Sequence, residues 1–162
     1  TVTRNIDART WGGEADATYA FTARWKLTGT LAYTHGENRT DGLPLAQMPP
    51  LELRTGLDYT GRQWSAGALW RVVAEQDRYA LRQGNVVGQD LGRTGGFGVL
   101  SLNAGWKPAQ GMLVSAGIDN LFDKAYAEHL SRGGAAVSGF EQTTRVNEPG
   151  RTLWLKASAK FE

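Results

Sequence analysis

The chain has 162 residues, enough for one domain or one stretch of barrel wall, and carries 18 Lys+Arg against 16 Asp+Glu. The two signs are nearly balanced and interspersed, which offers a nucleic acid no cationic field and leaves no charge run for a disordered tail. Cysteine is absent, so disulfide frameworks, thiolate metal sites and cysteine nucleophiles are excluded together.

In residues 11–21 the odd positions read Trp11, Gly13, Ala15, Ala17, Tyr19 and Phe21, and Glu14, Asp16 and Thr18 fall between them. A period of two predicts an extended strand and excludes a helix. A second strand sets Trp25, Leu27, Gly29, Leu31 and Tyr33 against Lys26, Thr28, Thr30 and Thr34; only 22–24 separate it from the first, which predicts a hairpin. The third sets Leu51, Leu53, Leu57 and Tyr59 against Glu52, Arg54 and Asp58. After the short turn 60–62 comes a fourth, with Trp64, Ala66, Ala68, Trp70 and Val72 against Gln63, Ser65, Gly67 and Arg71. The fifth alternates Leu100, Leu102, Ala104 and Trp106 with Ser101, Asn103, Gly105 and Lys107. Beyond 108–111, a sixth carries Met112, Val114, Ala116 and Ile118 against Ser115, Gly117 and Asp119. The seventh carries Leu153, Leu155, Ala157, Ala159 and Phe161 against Lys156, Ser158 and Lys160. Leu69, Phe97, Val99, Leu113 and Trp154 interrupt the polar face.

Alternation does not say which face meets water, since a soluble barrel also alternates, with its apolar face inward. Two features favour apolar-out. Aromatics gather near strand ends (Trp11, Phe21, Trp25, Tyr33, Tyr59, Trp64, Trp70, Trp106, Phe161), as membrane-interface girdles do. The middles of the apolar stripes are small, with Ala15, Ala17, Ala66, Ala68, Ala104, Ala116 and Ala157. A soluble core must be filled to crystal-like density, whereas lipid needs no such filling. Connections also segregate: 22–24, 60–62 and 108–111 are tight, while 36–49, 74–96 and 122–150 are long, polar and Gly-rich. Outer-membrane barrels have short periplasmic turns and long extracellular loops.

The fold expected is therefore all-β, an antiparallel transmembrane β-barrel segment of about seven strands. Seven is odd, and an open sheet in lipid leaves unpaired backbone groups at both edges. Either a strand is hidden in 74–96 or 122–150, or the wall continues before Thr1, whose first residues then end an extracellular loop. Two alternatives stand beside this: a complete eight-stranded barrel acting as enzyme or adhesin, and a soluble ligand-binding barrel. No stretch forms a membrane-spanning apolar helix, and none at Thr1 forms a signal peptide.

Two motifs then bear on family. Asp119-Asn120-Leu121-Phe122-Asp123-Lys124-Ala125-Tyr126, followed one long loop later by Pro149-Gly150-Arg151 and a strand ending at Phe161, resembles the close of TonB-dependent outer-membrane receptors. Pro49-Pro50 and Gly13-Glu14 are weaker echoes, and the likeness covers essentially all of 1–162. The usual terminal aromatic is penultimate here, because Glu162 follows Phe161. Residues 83–88, Gly96-Phe97-Gly98 and Tyr126-Ala127-Glu128-His129-Leu130 are most similar to the copper-receptor branch. The resemblance implies a monomeric barrel of about twenty-two strands in the bacterial outer membrane, of which this chain supplies a section of wall without its N-terminal plug. It implies energy-dependent uptake of a scarce ligand, with copper as a transported cargo rather than a resident cofactor. The implied partners are membrane lipid, the plug, and TonB through the N-terminal region; no nucleic acid is implied.

Few residues are candidates for chemistry. His35 and His129 are the only imidazoles, and Met48 and Met112 the only thioethers; copper favours both ligand types. Met112 falls on the apolar stripe beside a turn, where packing is the expected role. His35 closes a strand at the outer rim, and His129 and Met48 fall in outer loops, where solvated side chains are the ordinary expectation. No two of the four are spaced as a chelate, so no metal site is assigned. Principal copper ligands are expected in the plug and upstream loops. Asp119, Asn120 and Asp123 lack the spacing of a calcium loop. No G-x-S-x-G elbow or other catalytic constellation occurs, so an enzyme is not expected. Glu14, Asp16, Lys26, Glu52, Arg54, Asp58 and Lys156 are expected to line the lumen as a satisfied polar network.

Overall fold

A computed structural model describes residues 3–84, 88–130, 139 and 143–160. It contains β1 (Ala8–Ala20), β2 (Trp25–Asn38), β3 (Leu43–Pro44), β4 (Glu52–Thr60), β5 (Trp64–Val73), β6 (Phe97–Trp106), β7 (Met112–Asp119) and β8 (Thr152–Ala159). All pairings are antiparallel, in the order β1-β2-β4-β5-β6-β7-β8, with β3 folded beside β2. The seven long strands are those the period of two predicts. The eighth is a two-residue rung too short for any periodicity to reveal, and it does not span the sheet. β1 and β8 are both open edges, so the described residues do not close into a complete eight-stranded barrel.

Register aligns the apolar stripes into one face. A single row crosses the wall through Tyr19, Leu27, Leu57, Ala68, Leu102, Ile118 and Leu153. The neighbouring row, Lys26, Asp58, Gly67, Asn103 and Gly117, belongs to the other face. A slip of one residue in any pair would put charge into the apolar face, so the pattern itself pins the register. That face carries no covering layer among the described residues: Leu153 is 76% and Leu155 77% exposed. The loops instead fold against the polar face, where Tyr126 meets Phe97 and the Met48 sulfur lies over Gly36. Apolar is therefore outside, as in a transmembrane wall and unlike a soluble barrel.

Aromatics mark both rims of the apolar face. At the short-turn end Phe21 and Trp25 stack at 6.2 Å, Trp25 meets Tyr59 at 5.1 Å, and Trp64 stacks on Trp106 at 5.7 Å. At the other end Trp11 meets Tyr33 at 5.5 Å and His35 at 4.9 Å. Phe161 lies outside the described residues. The turns are fixed locally. Thr22 Oγ1 accepts from the amides of Arg24 (3.1 Å) and Trp25 (2.9 Å), and Gly111 takes a left-handed φ of 76° that suits glycine.

β1 begins at Ala8 rather than Trp11, and β2 runs on to Asn38. At this end of the hairpin Arg9, Thr10, Glu37 and Asn38 are polar on both faces and carry no apolar stripe to read.

Four of the apolar interruptions of the polar face have partners. Phe97 and Val99 are buried with Val73 under Tyr126. Leu113 packs by Gly105, and Trp154 lies across Gly117 of β7. A Cβ on Gly117 would fall 2.7 Å from Trp154 Nε1 and closer still to the ring carbons. Gly117→Ala is therefore expected to destabilise the wall by about 1–3 kcal/mol through overpacking, read by urea titration in lipid vesicles. Adding Trp154→Ala should recover part of that loss. Leu69 remains exposed on the polar face, with no structural reason evident.

Candidate functional site

All three long connections, 39–51, 74–96 and 120–151, leave the same end of the sheet. They knit together through one buried carboxylate. Asp90 is fully buried, and its Oδ1 accepts from Gln47 N (3.0 Å) and Gln47 Nε2 (2.9 Å), while Oδ2 accepts from Ala80 N (2.9 Å). His129, also buried, places Nε2 3.5 Å from Asp90 Oδ1, a long contact, and its Nδ1 lies 2.7 Å from Thr94 Oγ1. Burial pushes the Asp90 carboxyl up, but the neighbouring His129 ring and the donors from Ala80 and Gln47 outweigh it and hold it below the ordinary carboxylate value. Gln76 adds a second tie, exchanging backbone hydrogen bonds with Thr94 and donating Nε2 to Met48 O at 3.1 Å.

Below this junction the polar face holds a charged cluster. Arg71 donates Nη2 to Glu52 Oε2 (2.7 Å) and to Glu128 Oε2 (3.1 Å), and Nη1 to the other Glu128 oxygen. Its guanidinium sits 5.2 Å from the Phe97 ring centre, so a cation–π contact ties charge to the small apolar cluster. An open cleft lined by Pro49, Pro50, Glu52, Arg71, Glu128 and Glu148 faces the lumen. Elsewhere on this face Lys26 lies 4.0 Å from Asp58, Thr30 Oγ1 donates to Asp16 at 2.7 Å, and Arg54 pairs with Glu52. These contacts join five of the expected lumenal charges.

The two motifs that carry the family resemblance form a clasp. Asn120, buried with a left-handed φ of 51°, accepts from Lys124 N (2.8 Å) and donates to Lys124 O (2.9 Å) and Pro149 O (3.4 Å). Asp123 Oδ1 accepts from Arg151 N at 2.8 Å, and a Cβ on Gly150 would fall 2.7 Å from that oxygen. The glycine is needed for this approach. Both polar side-chain atoms of Asn120 and one carboxylate oxygen of Asp123 are thus engaged with backbone. Asn120→Ala removes three hydrogen bonds at a φ that alanine disfavours; it is expected to cost about 2 kcal/mol and to speed proteolysis of the connection after β7.

The structure brings together only two of the soft side chains. His35 and Met48 line one cavity with Tyr33, Leu45, Pro49 and Arg78. The imidazole is already engaged, with Nδ1 3.3 Å from Tyr33 Oη and Nε2 3.1 Å from Arg78 Nη2, and it stacks on Trp11. The Met48 sulfur packs over Gly36. His129 is not the solvated loop residue expected from sequence: it is buried, with Nδ1 against Thr94 Oγ1 of the 74–96 connection. Met112 stands on the outward stripe opposite Ala159, as expected. Among the described residues no three His, Cys, Asp or Glu side chains converge on a metal position. Asp90 is the central residue that sequence reasoning missed; a lone aspartate in a Gly-rich loop gives no periodic signal. Residues 85–87, inside one copper-branch stretch, lie outside the described residues.

Comparison with known proteins places this arrangement. Residues 1–121 match the family described as TonB dependent receptor-like, beta-barrel. A solved structure titled Copper transporter OprC is 50% identical, with a TM-score of 0.89, over 97% of this chain and 24% of that one. The Ferrienterobactin receptor of Escherichia coli is 25% identical over 92% of this chain and 21% of its own length. TonB-dependent heme receptor A of Haemophilus influenzae is 28% identical over 93% of this chain and 20% of its own length. The chain thus spans about a quarter or less of the length of these relatives. With this match and a register that puts an apolar face outward, the chain belongs to the TonB-dependent receptor β-barrel family.

Proposed function

We propose that this chain is a section of wall and outer loops from an outer-membrane receptor that imports copper, energised through TonB and gated by a plug. The observation that carries the copper reading is the 50% identity to the structure titled Copper transporter OprC, against 24–28% for the enterobactin and heme receptors that also match it. The lumenal cleft is consistent with it: Glu52, Glu128 and Glu148 outnumber Arg71, which favours a cation over an anionic iron chelate. Principal copper ligands are assigned to parts of the receptor beyond this chain, because His35 and Met48 are already engaged. The wall's own part is to hold the loops in register around the entrance. The test is titration of the purified full-length receptor with copper salts, ferric enterobactin and haem, beside copper accumulation in cells that carry it. Copper binding and uptake are expected. Binding of an iron chelate or haem with no copper response would overturn the copper reading and leave the receptor class standing.

A further inference from the structure

The turns at the short-turn rim are cationic. They carry Arg24, Arg62 and Lys107, with Lys160 beyond β8, and no carboxylate occurs in 21–24, 61–63 or 107–111. Among the described residues none of these four cations makes an ion pair; at the loop end Arg4, Arg71 and Arg93 pair with carboxylates, while Arg9, Arg39 and Arg82 do not. An exposed cation gains from staying solvated, so an unpaired row alone says little. Here the row is held in place and shaped.

The backbone fixes it. Thr60 N donates to Arg24 O (2.8 Å), Lys107 N to Gln63 O (2.8 Å), and Lys160 N to Gly111 O (2.9 Å), so each cation sits on or beside a rung joining neighbouring strands. Between the cations lie two shallow clefts. One, of about 600 Å³, is lined by Arg24, Arg62, Tyr59 and Trp64. The other, of about 560 Å³, is lined by Arg62, Lys107, Met112 and Leu113. Arg62 borders both; the first cleft adds Tyr59 and Trp64 of the outward rim, and the second straddles the rim, with Met112 on the outward stripe and Leu113 on the polar face.

We propose that these clefts bind the head-group phosphate of anionic phospholipids in the leaflet that adjoins the short turns. Two cations flank the phosphodiester, Arg62 offers it a planar fork of donors, and the acyl chains run along Trp64 and Trp106 on the outer face. The inference rests on the membrane placement proposed above but not on the cargo.

The test uses the full-length receptor in vesicles of phosphatidylethanolamine and phosphatidylglycerol in equal amounts, with native mass spectrometry counting the lipids retained on release. The native receptor should retain phosphatidylglycerol in preference, and each of Arg24→Gln, Arg62→Gln and Lys107→Gln should reduce that preference by about fivefold. Arg62→Gln should lower occupancy at both clefts. A matched variant at the loop end, Arg9→Gln with Arg39→Gln and Arg82→Gln, should leave the preference unchanged. Equal retention by the native receptor and the triple turn variant overturns the proposal, as does equal loss in the loop-end variant. Displacement of the lipid by the same concentration of inorganic phosphate also overturns it, in favour of a site for soluble anions. A receptor that enters vesicles without lipid preference refutes this inference alone; one that never enters lipid refutes the membrane placement as well.

Discussion

Arginine in place of Leu102 is expected to destabilise the wall by about 2–4 kcal/mol, the cost of a guanidinium facing hydrocarbon near mid-depth. Leu102 is in the middle of β6, opposite Ala68 on one side and Ile118 on the other. Along β5 the paired position falls between Trp64 and Trp70, the aromatics of the two rims. Ser101→Arg is the control, because its side chain belongs to the polar face beside Leu69 and meets water or lumenal carboxylates. Urea titration of the full-length receptor in vesicles reads both variants. Equal costs would mean that the faces have been assigned the wrong way round.

The second large effect is expected at Asp90. Asp90→Ala leaves Gln47 N, Gln47 Nε2 and Ala80 N without an acceptor in a site closed to water. Stranded buried donors are costly, and about 3 kcal/mol of loop stability should be lost. Because three connections share the carboxylate, the loss should be local and joint: the Gln47 and Ala80 amides, on different loops, should gain the same increase in hydrogen exchange. An increase at only one would show that the loops are not coupled through Asp90. Asp90→Asn retains an acceptor and should cost less. The pH dependence follows from the sign of the shift. The folded carboxyl titrates below its ordinary value of about 4, so its stabilisation is complete above that value and fades only as pH falls through the lower one. Loop protection, corrected for the intrinsic pH dependence of amide exchange, should therefore fall as pH drops into acid.

The wall was legible because lipid imposes a simple rule, apolar on every second residue, and the sequence obeys it through all seven spanning strands. Where both faces turn polar the rule lapses, and the strand ends at Ala8 and Asn38 could not be read. The loop junction was illegible for a different reason. Asp90 and His129 are 39 positions apart along the chain and acquire meaning only when two connections fold together. Arg71 could be assigned to the polar face, but its pairing with Glu128 could not, since Glu128 belongs to no strand. The NLFD and PGR motifs were visible as signatures, while their reason, a mutual clasp, needed coordinates.

That clasp has a consequence for how such a protein can change. Asp123 with Arg151, Asn120 with Pro149, and the Glu148 amide on Tyr126 O at 2.9 Å extend the β7–β8 stem past the sheet. The chain between 126 and 148 then leaves and re-enters at points whose separation is already set. Closing a longer excursion from fixed ends costs only a logarithm of its length, about 0.6 kcal/mol per doubling. Segments inserted between His129 and Arg145, which are themselves tied to the 74–96 connection, can grow or shrink with little strain on β7, β8 or their register. The clasp works as a standard socket: the wall stays constant while the part that meets the outside world is exchanged.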